Sequence, residues 1–316
     1  MLIPKPRGAF SEALFAAMRG RPDEDLSLPP AVPDGEEDAA IALWTLHELH
    51  YRGFDDADDA LEWDPALLAV RHGLEVDLEA RLRARRTDPV PEGPFVDAFF
   101  GYVAGHDGPS LAQHVQRDAQ EAQVLDLLRL RSVYHLKESD PTTWAVPRLP
   151  TEAKAALMEL QYDEYGVGDP NRLHAHLFAR GLEACGLRSE YGAYVDEVPL
   201  QILEQNNAMS LFGLHRRLRG AALGHLAAFE VSSSQPSRRM TQGLERLGFA
   251  PEMVDYYAEH AEADAVHEHL AVRNVCGGLL RAEPELTADV WFGAFTCLDL
   301  EARVAARLLD QWGVPT

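Results

Sequence analysis

The chain has 316 residues, with 29 Lys and Arg against 51 Asp and Glu, a formal charge of −22 with His neutral. Hydrophobic residues make up 46% and charged residues 25%, an ordinary globular balance that excludes wholesale disorder. So negative a chain repels phosphate backbones and anionic lipid, and its densest basic stretches, Arg81 to Arg86 and His215 to Arg219, read as solvated helix faces, so neither nucleic-acid nor membrane binding is expected.

Along the chain, residues 1–37 read as an irregular acidic lead-in, broken by Pro22, Pro29, Pro30, Pro33 and Gly35. Apolar residues then recur at helical spacing with hardly any strand signal. The pattern predicts helices near 38–51, 65–86, 94–104, 109–139, 151–165, 170–185, 199–233, 236–247, 251–282 and 284–312. Asp169-Pro170 looks like a cap followed by Pro at a first helical position, and Gly186 and Gly248 stand where left-handed caps belong. Gly220 and Gly224, four apart, suggest a packing notch, and Ser232 to Ser237 a helix break. The expectation is an all-α protein in three parts: the lead-in at 1–37, an N-terminal helical extension at 38–105 and a helical domain at 106–316. Cys185, Cys276 and Cys297 are widely spaced and odd in number, and Met1 to Pro6 lacks the apolar run of a signal peptide. A reduced, cytoplasmic protein is expected.

Chemistry concentrates late in the chain. His260, Asp264 and His267 stand at i, i+4 and i+7, within one narrow stripe of a helix. Facing a core, such a stripe needs partners, and a metal supplies them; facing water, it is an ordinary polar face, as Glu259, Glu262 and Glu268 nearby allow. Upstream, Glu164 closes an acidic helix, and His174 follows ten residues on across a glycine-containing turn. Glu230 sits in an apolar stretch, where an unpaired carboxylate is costly. Glu138 lies near the Asp140-Pro141 break, where capping or exposure competes with a buried role. Glu159 and Asp163 read as hydrogen-bond partners of the site or as surface carboxylates, and His225, off the face of Glu230, as a core histidine.

In order and spacing these residues resemble the haem-oxygenase-like di-iron oxidases, also called iron-containing redox enzymes. That family's pattern is a carboxylate, a Glu with His ten residues on, a Glu on a long helix, and His-x-x-x-Asp-x-x-His. The resemblance implies a haem-oxygenase-like helical bundle. It implies as ligands of two iron ions Glu138, Glu164, His174, Glu230, His260, Asp264 and His267. It further implies an enzyme that activates O2 with electrons from an external reductant and oxidises a small molecule. N-oxygenation of an amine in specialised metabolism is the first expectation, and desaturation or C–C cleavage of an amino or fatty acid the second.

Two other classes compete. A haem protein needs one axial histidine and a roomy apolar pocket, which so many clustered carboxylates argue against. A non-catalytic helical interaction module would leave the His/Asp/Glu stripe solvated. No P-loop, dinucleotide loop or nucleophile elbow is present. A homodimer is compatible with a bundle of this size.

Overall fold

The structure is a computed structural model that describes residues 1–20, 32–86 and 89–315, the side chains of 262–266 excepted. Every regular element among the described residues is helical, so the protein is all-α as expected. No helix there is long and apolar enough to cross a membrane.

The lead-in departs from expectation, because α1 (Ala9–Met18) is a helix that buries Phe10, Leu14, Phe15 and Met18. Its start is held from outside. The Asp38 carboxylate accepts from the backbone N–H groups of Phe10 (3.2 Å) and Ser11 (2.9 Å), and those bonds offset its burial and hold the carboxyl below its ordinary range. Asp38 belongs to α2 (Glu36–Glu48), which is buried along most of its length. Then come α3 (Pro65–Arg85), capped by the Asp64 side chain with Pro at its first position, and α4 (Phe95–Ala104).

The helix expected at 109–139 is two, α5 (Leu111–Arg117) and α6 (Glu121–His135), the second opened by a reciprocal bond pair between Gln120 and Gln123. After the short α7 (Asp140–Thr143) comes α8 (Thr151–Glu164). The next helix, α9 (His174–Ala184), starts four residues later than Asp169-Pro170 suggests. Asp169 instead accepts from the Asn171 backbone (2.9 Å) and side chain (3.1 Å), which closes a turn there.

The expected 199–233 helix breaks at His215, whose extended backbone separates α10 (Leu200–Leu214) from α11 (Arg219–Leu247). Conversely, α11 runs unbroken through Pro236: buried residues on both sides, from Ala227 to Leu244, outweigh one lost backbone bond. The notch at Gly220 and Gly224 is real. A Cβ at Gly224 would overlap the Val290 carbonyl of α14 (Thr287–Gln311), and one at Gly293 would overlap the Ala221 carbonyl in return. Next to α11 runs α12 (Pro251–His269), which passes into a π-helical stretch (Leu270–Cys276) and then α13 (Gly277–Ala282). The two basic stretches are paired rather than solvated: Arg85 reaches Glu204 at 2.9 Å, and His215 reaches Glu75 at 2.8 Å.

Candidate metal centre

Six of the seven expected ligands converge. Glu138 stands in the turn after α6, Glu164 ends α8, His174 opens α9, Glu230 lies inside α11, and His260 and His267 project from α12. The side chain of the seventh, Asp264, lies outside the described residues. The six are all buried or nearly so. They form two groups whose donor atoms are mutually within 4.8 Å: Glu138, Glu164, His174 and His260, and Glu164, Glu230 and His267. Glu164 belongs to both.

Local structure explains the convergence. Glu164 and His174 sit at the facing ends of two helices joined by a tight turn through Gly166, Val167 and Gly168, all with positive φ. Gly166 is required there, since a Cβ would run into the backbone of Arg172 and Leu173. His174 Nδ1 thereby comes within 3.1 Å of Glu164 Oε2. On α12, the seven-residue interval carries His260 and His267 to one face, with His267 Nδ1 3.6 Å from Glu164 and 3.5 Å from Glu230. His260 Nε2 lies 3.8 Å from Glu138 Oε1.

Outer contacts aim the donors inward. His260 Nδ1 donates to its own-helix Tyr256 carbonyl at 2.9 Å, which leaves the Nε2 lone pair toward Glu138. His267 Nε2 pairs with Asp163 at 2.8 Å, turning Nδ1 toward Glu164 and Glu230. Of the two neighbouring carboxylates, Asp163 is therefore the one that hydrogen-bonds the site. Ser139 Oγ donates to Glu164 Oε2 at 3.0 Å. Glu138 Oε2 takes the Tyr256 hydroxyl at 3.1 Å and lies 3.1 Å from His135 Nδ1. From the sequence His135 reads as a non-ligand and Tyr256 carries no assigned role, so neither is marked as a partner of Glu138. Their i−4 and i−3 spacing to His260 and Glu138 is the one signal that would have found them.

Burial raises a lone carboxyl, yet His135 and His260 hold Glu138 well below its ordinary range. Burial and the neighbouring Glu164 instead push Glu230 up despite His267. Burial works to lower His267, but Glu230, Glu164 and Asp163 raise it to about 9. Carboxylates and imidazoles thus set one another's protonation across the cluster. Glu138 Oε1, His174 Nδ1 and His267 Nδ1 are buried without a partner at hydrogen-bonding geometry, and all three belong to residues of the two groups. Carboxylate oxygens and imidazole nitrogens are the donor set that iron accepts, so these residues fit such an ion. A small chamber of about 40 Å³ adjoins the cluster, with Tyr134, Leu160, Met209, Leu226 and Phe229 as its apolar wall. A larger cavity, about 260 Å³, lies past Phe229 and His135, and is lined by the Arg131–Glu301 ion pair (2.8 Å).

A profile of the family described as iron-containing redox enzymes matches residues 125–302, more than half of the chain. No curated protein matches the sequence. Among solved structures, a CADD-like protein of unknown function from Nostoc punctiforme PCC 73102 is 14% identical with TM-score 0.52, over 69% of this chain and 94% of that one. A second crystal structure of a CADD-like protein from that organism gives 15% identity and TM-score 0.49, over 75% and 97%. At this identity the first shows a shared fold.

Proposed function

The chain belongs to the family of iron-containing redox enzymes, and from that premise we propose that it is a non-haem di-iron oxidase. It uses O2 and electrons from an external reductant to oxidise a small molecule, by N-oxygenation of an amine. The observation that carries this reading is the sharing of Glu164 between two separate donor groups, the arrangement a carboxylate bridging two ions requires. One ion would be held by Glu138, His174, His260 and Glu164, the other by Glu230, His267 and Glu164, with Asp264 assigned on its spacing alone. Bound iron supplies the redox equivalents and the open positions at which O2 reacts.

The protein's part is orientation and exclusion. Asp163 and the Tyr256 carbonyl fix the rings of His267 and His260, while Tyr256 and His135 hold one oxygen of Glu138 and leave the other free. Tyr134, Leu160, Met209, Leu226 and Phe229 set the chamber's apolar wall beside the reacting centre. Neither Lys nor Arg is among the described residues lining that chamber, whereas Glu138, Glu164 and Glu230 are. Beyond the ligands themselves, a substrate acid finds no side-chain cation in that wall, which favours an amine.

Anaerobic Fe(II) titration tests the reading. Two irons per chain are expected, with His174→Ala and His267→Ala each losing one and Glu164→Ala impairing both. On stopped-flow mixing with oxygenated buffer, a transient visible band should form in the parent and vanish in His267→Ala. One iron or none in the parent would overturn the proposal.

A further inference from the structure

Two polar side chains facing the chamber have no part in the metal centre. Gln161, on α8 one turn before Glu164, and His225, on α11 five residues before Glu230, both line it. They are 2% and 6% exposed. The Gln161 oxygen accepts from the Thr143 hydroxyl at 3.3 Å, but its Nε2 is buried without a partner. His225 Nε2 is likewise buried and unpartnered, its ring edge-on to Phe212. One such group is costly, and two lining one cavity from two different helices are what a ligand-binding wall looks like before its ligand arrives.

We infer that Gln161 and His225 bind an uncharged hydrogen-bonding group, an amide or a hydroxyl, of the substrate that this chamber presents to the metal centre. The identification of that ligand as substrate rests on the di-iron reading; the binding itself does not. The Gln161 amide offers N–H donors suited to a carbonyl or hydroxyl oxygen, and a neutral imidazole adds one donor or one acceptor. Burial drives His225 down to about 4, so the ring carries no charge at neutral pH. With no Lys or Arg among the described lining residues, a free carboxylate finds no side-chain cation in the metal-free chamber. An amine bearing an amide or hydroxyl group is the substrate that matches this wall.

The test is saturation-transfer NMR on the full chain with propionamide and propionate, in metal-free protein and, for the amide, also in Zn(II)-loaded protein. Propionamide should bind both forms, and propionate should fail to bind the metal-free form. In Gln161→Leu and in His225→Leu the amide should bind about tenfold more weakly, the worth of one hydrogen bond. His225→Leu should melt no lower than the parent, since it removes a buried nitrogen without a partner. No amide binding, binding undiminished in both variants, equal binding of propionate, or a His225→Leu variant that melts lower would each overturn the inference. The metal-free measurement needs no iron, so its failure leaves the iron titration standing, and failure of that titration leaves the amide site standing.

Discussion

His267 shows how one residue ties the cluster to pH. Its ring touches three carboxylates, Glu164, Glu230 and Asp163, which lift it to about 9 although burial alone would lower it. In the metal-free protein at pH 7 it is therefore an imidazolium. The sign follows: a pKa above the unfolded value of about 6.5 adds stability in full below that value, and the gain is lost as pH rises through about 9. A metal needs the neutral ring, so binding must expel the proton, and affinity rises between pH 7 and 9. Calorimetric titration with Mn(II) at pH 7, in buffers of different ionisation enthalpy, should show proton release, with about one proton fewer in His267→Ala. Equal release in the two proteins would remove His267 from the ligand set. His174, raised by Glu164 against its burial, releases in the same sense, which is why the difference and not the total is diagnostic.

At the scale of elements, what was legible in the sequence was whatever one helix or one turn determines by itself. The face shared by His260 and His267 follows from helical period, and the meeting of Glu164 with His174 follows from a short glycine turn between two helix ends. Glu230 was legible because a carboxylate in an apolar run needs a partner. Breaks decided by packing were not. Nothing local marks the turn at His215, whose imidazole is drawn to Glu75 on α3, 140 residues away. Nor does local propensity explain how α11 survives Pro236. Equally hidden was that His225, expected to be a satisfied core histidine, has an unpartnered Nε2. The contact of α11 with α14 admits a direct test. Gly224→Ala drives a methyl into the Val290 carbonyl, a backbone atom that cannot rotate away, and should cost about 3 kcal/mol in urea unfolding. Because Glu230 lies on the same helix, metal affinity should fall with it. Gly73→Ala, inside α3 with nothing within 4 Å, is the control and should gain about 1 kcal/mol through helix propensity alone.

Across the whole molecule, the first helices share a polar interior with the helices that carry the cluster. Asn207 of α10 donates to the Ala40 carbonyl of α2 at 2.8 Å and meets His47 at 3.3 Å. Deeper still, Lys137 Nζ lies 3.0 Å from Glu48 Oε2, both groups essentially without exposure, and the Tyr191 hydroxyl donates to the same oxygen at 2.7 Å. The ammonium also sits 4.2 Å from the centre of the Tyr51 ring. This assembly joins the end of α2, the loop at Tyr191 and the turn that presents Glu138, since Lys137 is the residue before it. Breaking a buried pair from one side leaves an uncompensated charge, so Lys137→Met should cost about 3–5 kcal/mol. Adding Glu48→Gln removes that charge, and the double variant should recover most of the loss. If the early helices and the cluster form one cooperative unit, Lys137→Met lowers a single melting transition, monitored by near-ultraviolet dichroism and by calorimetry alike, and weakens metal binding through the displaced Glu138. A second, unshifted transition in the variant, with metal affinity intact, would instead assign the first hundred residues to a separately folding part.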